Sequence, residues 1–75
     1  MKRFYKVDDL VFLEIDFVDT IQEWQAHLID IKVHKTISML VNADKIKLIN
    51  NIIANNWFKS NTDNFSVFIE DILKY

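Results

Sequence analysis

Four residues with metal-binding side chains recur between positions 23 and 34. Glu23, His27, Asp30 and His34 are separated by four, three and four positions. On an α-helix they would lie within an arc of about 60°. Carboxylate oxygens and imidazole nitrogens are ligands of zinc and other transition metals. On a β-strand, in contrast, the first two residues face one side and the last two face the other.

Even a helix would spread these side chains too far for one ion. Eleven residues of helix rise about 16 Å, so a single metal would bind two neighbours at most. We expect instead two ordinary histidines on a half-polar strand. The sequence therefore predicts no metal site and no bound cofactor.

The pattern of apolar residues predicts strands in the N-terminal half of the chain. Residues 10–18 are rich in β-branched and aromatic types, which is typical of strands. Residues 29–41 alternate between apolar and polar types. A turn at Asp19-Thr20 would pair residues 10–18 with the strand that follows the turn, and a short helix at 20–27 between two strands is an alternative. The change of alternation between Leu28 and Ile29 requires a β-bulge. The expected cross-strand pairs are Ile15–Trp24, Leu13–Ala26, Val11–Leu28 and Asp16–Glu23.

The C-terminal half predicts two helices, at residues 43–58 and 63–74. Asn42 is a candidate N-cap for the first helix, and Thr62 or Asn64 for the second. The expected fold is a single α+β domain over residues 1–75, with an antiparallel sheet at about residues 2–41 and two helices packed on it. An all-α helical bundle is the alternative, because apolar residues between 10 and 31 also follow a helical spacing.

The composition argues against an enzyme. The chain has no glycine, so it lacks the loops that cradle phosphate groups, and it has no cysteine nucleophile. Its serines lie in no motif that would supply an oriented base. Acids at positions 8, 9, 14 and 16 interrupt any leader-like apolar segment, and no run of about 20 apolar residues exists. We therefore expect a non-enzymatic protein of the cytoplasm, with no membrane contact.

The acidic residues are concentrated in one block. Residues 8–30 contain seven Asp or Glu and no Lys or Arg. An acidic sheet face of this kind is suited to a protein partner with a basic surface, which is typical of proteins that handle nucleic acids. We predict a small inhibitor or regulator that occludes such a surface. The candidate partner-binding residues are Phe12, Glu14, Asp16, Asp19 and Glu23.

Two other functions are compatible with the sequence. A DNA-binding regulator would use a basic group around the first helix, although nucleic acid is the less expected partner at a net charge of −2. A homodimer or larger assembly would bury the apolar surface that two helices leave uncovered. The small size and the Ile, Asn and Lys bias are typical of phage or mobile-element products. The candidate nucleic-acid-binding residues are Lys32, Lys35, Lys45 and Lys47.

Overall fold

The computed structural model describes residues 2–75 and has the predicted α+β architecture, so the helical-bundle alternative is wrong. One antiparallel sheet has the strand order β1-β2-β3-β4, and two helices follow it along the chain. The strands are β1 (Lys2–Lys6), β2 (Val11–Val18), β3 (Glu23–Asp30) and β4 (Lys35–Asn42). The helices are α1 (Lys45–Ala54) and α2 (Thr62–Ile72).

The pairing of β2 with β3 differs from the predicted register by two residues. A loop at positions 19–22 replaces the expected two-residue turn, and the alternative short helix at 20–27 is wrong because β3 begins at Glu23. Gln22 takes a left-handed conformation with φ of 52°. Glu23 therefore lies opposite Val18 and not opposite Asp16. Because the shift is two residues, the side chains of residues 23–28 stay on their expected faces. The observed pairs include Ile15–Ala26, Leu13–Leu28, Asp16–Gln25 and Phe17–Trp24.

The register shifts between Leu28 and Ile29, where a bulge was predicted, but β3 keeps its regular alternation through this point. Leu28 pairs with Ser38, and Ile29 pairs with Thr36. Ile37 is therefore the extra residue, which places the bulge on β4. Ile29 therefore lies on the opposite face from Leu28, and a loop at residues 31–34 breaks the alternating segment 29–41 that the sequence suggested as a strand.

The core lies between one face of the sheet and the two helices. The central strands contribute Leu13, Ile15 and Ala26, which are fully or almost fully buried. Phe68 of α2 is also fully buried, and its ring lies 5.1 Å from the ring of Tyr5. The remaining members of the core come mostly from the helices and the segment that joins them: Leu48, Ile49, Ile52, Trp57, Phe58 and Ile72.

Helix α1 is shorter at both ends than the sequence predicted. Asp44 is the N-cap, and its side chain accepts hydrogen bonds from the backbone N–H groups of the first turn. Asn42, the predicted cap, lies outside the helix, and its Oδ1 accepts a hydrogen bond from the N–H of Asp44. At the other end, Asn56 adopts φ of 55°, and its N–H donates to Ile53 O. The N–H of Trp57 donates to Ile52 O, which completes a Schellman motif. Asparagine thus ends the helix where glycine usually does.

A polar contact joins α2 to β1. Arg3 forms a salt bridge of 2.9 Å with Asp71, and the Tyr5 hydroxyl donates to the same carboxylate at 2.6 Å. The Arg3 guanidinium also lies 3.7 Å from the ring centre of Tyr75. The contacts of Arg3 and Tyr5 with Asp71 hold α2 against β1 at the edge of the sheet.

Helix α2 begins with Asn61 as its N-cap, whereas the sequence suggested Thr62 or Asn64.

Candidate protein-binding surface

The sheet has a face on which no helix packs. Both helices pack on the face that contains Leu13 and Ile15, and no further element of residues 2–75 remains to cover the opposite one. We call this opposite surface the open face. Alternation along the strands and the pairing between them assign its residues. They are Lys2, Phe4 and Lys6 of β1; Phe12, Glu14, Asp16 and Val18 of β2; Glu23, Gln25, His27 and Ile29 of β3; and Thr36, Ile37, Met39 and Val41 of β4.

The predicted carboxylates lie on this face, but their surroundings are less acidic than the sequence suggested. Glu14 forms a salt bridge of 2.9 Å with Lys2. The hydrogen bond to Glu14 and its negative charge raise the pKa of Lys2. Lys2 also lies opposite Asp16 in the pairing of β1 with β2. Strand β1 thus supplies the cations that the acidic block lacks.

Several acids of the block stabilise turns. Asp8 Oδ1 accepts a hydrogen bond of 2.7 Å from the N–H of Leu10. Asp30 Oδ1 accepts from the N–H of Lys32 at 2.8 Å and closes the loop between β3 and β4. Asp19 lies in the loop between β2 and β3, at the edge of the open face. The acids on the open face itself are Glu14, Asp16 and Glu23.

An aromatic pair lies beside these carboxylates. The rings of Phe4 and Phe12 are 5.7 Å apart, and Phe4 is 60% exposed. Phe4 lies directly opposite Glu14. The sequence predicted Phe12 but not Phe4, because Phe4 is followed by a second aromatic residue and no alternation marks its face. The open face therefore combines an exposed aromatic ring with negative charge.

The four potential metal ligands are not brought together. Glu23 and His27 lie on the open face, where His27 Nε2 is 3.5 Å from Gln25 Oε1. Asp30 closes a turn, and His34 occupies a left-handed position in the same loop with φ of 53°. Among residues 2–75, no group of three or more His, Cys, Asp or Glu side chains is placed to hold a metal ion.

The four candidate lysines fall into two separate pairs. Lys32 lies in the loop before β4 and Lys35 begins β4, whereas Lys45 and Lys47 lie in the first turn of α1. The eight residues of β4 separate the pairs by about 25 Å. Lys45 Nζ contacts the carbonyl of Tyr75 and lies 5.7 Å from the Trp24 ring centre. The structure does not form one continuous basic patch from these residues.

A small cavity lies on the helical side of the protein. Its volume is about 140 Å³, and its lining includes Ile52, Trp57 and Phe65. Pockets for small-molecule ligands usually span about 300–1,000 Å³. The lining holds no carboxylate or histidine. The cavity therefore offers no arrangement of acid and base for catalysis.

No family model, curated protein or solved structure matches the chain. Within the described part of the chain, neither helix has the length and apolar character needed to cross a membrane. The features of the molecule that bear on its function are therefore the open face and the edges of the sheet.

Proposed function

We propose that the protein binds another protein through the open face and thereby inhibits or regulates it, without catalysing a reaction. The observation that carries the proposal is an uncovered sheet face with an exposed Phe4 ring beside the carboxylates of Glu14 and Asp16. An exposed apolar group rimmed by polar groups is typical of protein-binding surfaces.

The partner that fits this surface has a basic site with an apolar recess. Phe4 and Phe12 would enter the recess, while Glu14, Asp16 and Glu23 would face lysine or arginine side chains. Lys2 is 61% exposed but Glu14 only 14%, so a cation of the partner would displace the mobile Lys2 side chain before it pairs with Glu14. Complementary charge would speed the encounter and exclude acidic proteins.

Basic sites of this kind are used above all by proteins that bind nucleic acids. The protein would act by occlusion, covering the basic site so that nucleic acid cannot enter. We place this action in the cytoplasm, in keeping with a small phage or mobile-element product. The separation of the lysine pairs gives the alternative of direct DNA binding no support.

The proposal is tested by affinity capture from host lysate with low-salt and then high-salt washes. Three immobilised proteins are compared: the wild type, a neutralised variant with Glu14→Gln and Asp16→Asn, and Phe4→Ala. The expected result is a basic protein that the wild type captures, that high salt releases, and that both variants fail to retain. A hot-spot aromatic contributes about 2 kcal/mol or more, so Phe4→Ala should weaken binding at least about 30-fold.

A matched control separates the open face from general surface effects. Val67→Ala removes an exposed apolar side chain from α2, on the other side of the protein. This variant should capture the same protein as the wild type. Equal capture by the wild type, the neutralised variant and Phe4→Ala would show that the open face is not the binding surface.

A further inference from the structure

Strand β4 is a free edge of the sheet with little protection against pairing. Within residues 2–75 it pairs only with β3. It is eight residues long, and its one charged residue is Lys35 at its start. Ile37, Met39 and Val41 are 55%, 52% and 43% exposed. Natural edge strands usually carry charges or proline to prevent association, as β1 does with Lys2, Arg3 and Lys6.

The ladder indicates which backbone groups of β4 point to the free edge. Ile31 N–H donates to Leu10 O at 2.9 Å, so odd-numbered residues of β3 bond to β2 and even-numbered ones bond to β4. Ala26 pairs with Leu40, and even-numbered residues of β4 therefore bond back to β3. Beyond the bulge, the residues whose N–H and C=O groups point outward are Met39 and Val41.

We propose that a second copy of this chain pairs with β4, so that two sheets join into one across a two-fold axis at Met39. Antiparallel pairing requires partners that face the same side of the sheet. With Met39 opposite itself, Ile37 of each copy lies opposite Val41 of the other on the open face. The exposed apolar residues of β4 then contact one another across the axis.

Charge favours a second copy over an unrelated strand. Lys35 begins β4, and Asp44 follows its end. The antiparallel arrangement brings Lys35 of each copy beside Asp44 of the other, so opposite charges meet at both ends of the interface. The charged edge at β1 resists the same pairing, and the assembly would therefore close as a dimer.

The register is tested by disulfide cross-linking, which the absence of cysteine makes unambiguous. Paired residues in a hydrogen-bonded position have Cα atoms about 5.5 Å apart, within the range that a disulfide spans. Met39→Cys should therefore form a covalent dimer under mild oxidation. Val41→Cys alone should not, because its two copies would lie about 13 Å apart along the strands. Absence of the Met39→Cys cross-link, or equal cross-linking of both variants, would overturn the proposed register.

Sedimentation equilibrium tests the dimer itself. The wild type should sediment at twice the chain mass of 9.0 kDa. Met39→Lys places two ammonium groups opposite each other and should sediment as the monomer. Val67→Lys adds the same charge at an exposed site on α2 and should remain dimeric. A wild type that stays monomeric at every concentration, or a Met39→Lys variant that dimerises as well as the wild type, would refute the proposal. These variants leave Phe4 and Glu14 intact, so the result is independent of the proposed partner binding.

Discussion

Replacement of Tyr5 by phenylalanine removes one hydroxyl from the contact that holds α2 on β1. Tyr5 Oη donates to Asp71 Oδ2 at 2.6 Å, and Arg3 Nε donates to the same oxygen at 3.0 Å. The Tyr5 ring is buried against Phe68, so phenylalanine can keep the packing. A hydrogen bond to a charged group is worth about 1.5–3 kcal/mol, and Arg3 still neutralises Asp71 in the variant. We therefore expect Tyr5→Phe to lower the free energy of unfolding by about 1–2 kcal/mol.

The same variant changes the response to alkaline pH. Burial, and then the hydrogen bond to Asp71, raise the pKa of Tyr5 from 10.0 to about 12. The neutral phenol is therefore favoured in the folded protein, and its contribution to stability is complete below pH 10 and lost as the pH rises toward 12. The wild type should lose stability in this interval. Tyr5→Phe should lack that part of the loss.

Acid pH affects Asp71, whose carboxylate accepts the hydrogen bond from Tyr5. The Tyr5 hydrogen bond and then Arg3 lower the pKa of Asp71 below its usual 3.8. Its contribution to stability is therefore present above that value and is lost as the pH falls further. The loss of stability at alkaline pH and the loss at acid pH are both measured by urea unfolding, followed by circular dichroism across the pH range. Loss of stability at acid pH should be smaller in Asp71→Asn than in the wild type.

Tyr75→Phe is the control for the alkaline measurement. It removes the other tyrosine hydroxyl of the chain and keeps the ring beside Arg3. It should unfold at the same urea concentration as the wild type near neutral pH. A Tyr5→Phe variant as stable as the wild type, with the same loss between pH 10 and 12, would show that the hydroxyl contributes nothing to the attachment of α2.

The remaining predictions concern the core and the cap of α1. Trp57→Ala deletes a buried core side chain and should lower the free energy of unfolding by about 3–5 kcal/mol, measured by urea unfolding; a change below about 1 kcal/mol would place Trp57 outside the core. Asp44→Ala removes the acceptor for the N–H groups of Ile46 and Lys47 and should cost about 1 kcal/mol. Its melting temperature should fall by about 4–8 °C, and an unchanged value would contradict the cap.

Apolar alternation predicted strands in the N-terminal half and the faces of β2 and of β3 up to Leu28, but it missed the loop at residues 31–34 and the position of the bulge on β4. It did not predict the register, because the loops contain no glycine to mark their left-handed positions. Gln22, His34, Asn56 and Lys59 take positive φ instead. Gln and Lys are ordinary helix residues and His favours the left-handed region only weakly, so of these four only Asn56 is a clear local sign of a turn. The absence of a glycine after Ala54 also explains why α1 was predicted to continue past Asn56.

The candidate surface was predicted in part. Glu14, Asp16 and Glu23 share a face because they have the expected parity along β2 and β3. The contribution of β1 was missed, since the contacts of Lys2 and Phe4 with β2 depend on pairing between distant positions. Composition counted the acids of residues 8–30 as one block, although Asp8 and Asp30 bond to backbone N–H groups in turns. Charge read along the chain therefore overstated the charge of the folded surface.

Displacement of nucleic acid from the captured partner tests occlusion most directly. The purified partner is bound to a fluorescently labelled oligonucleotide, and the anisotropy is followed as this protein is added. We expect the wild type and Val67→Ala to release the oligonucleotide, and Phe4→Ala and the neutralised variant to leave it bound. An anisotropy that stays constant or rises while the wild type binds would contradict occlusion, because the open face would then leave the basic site accessible.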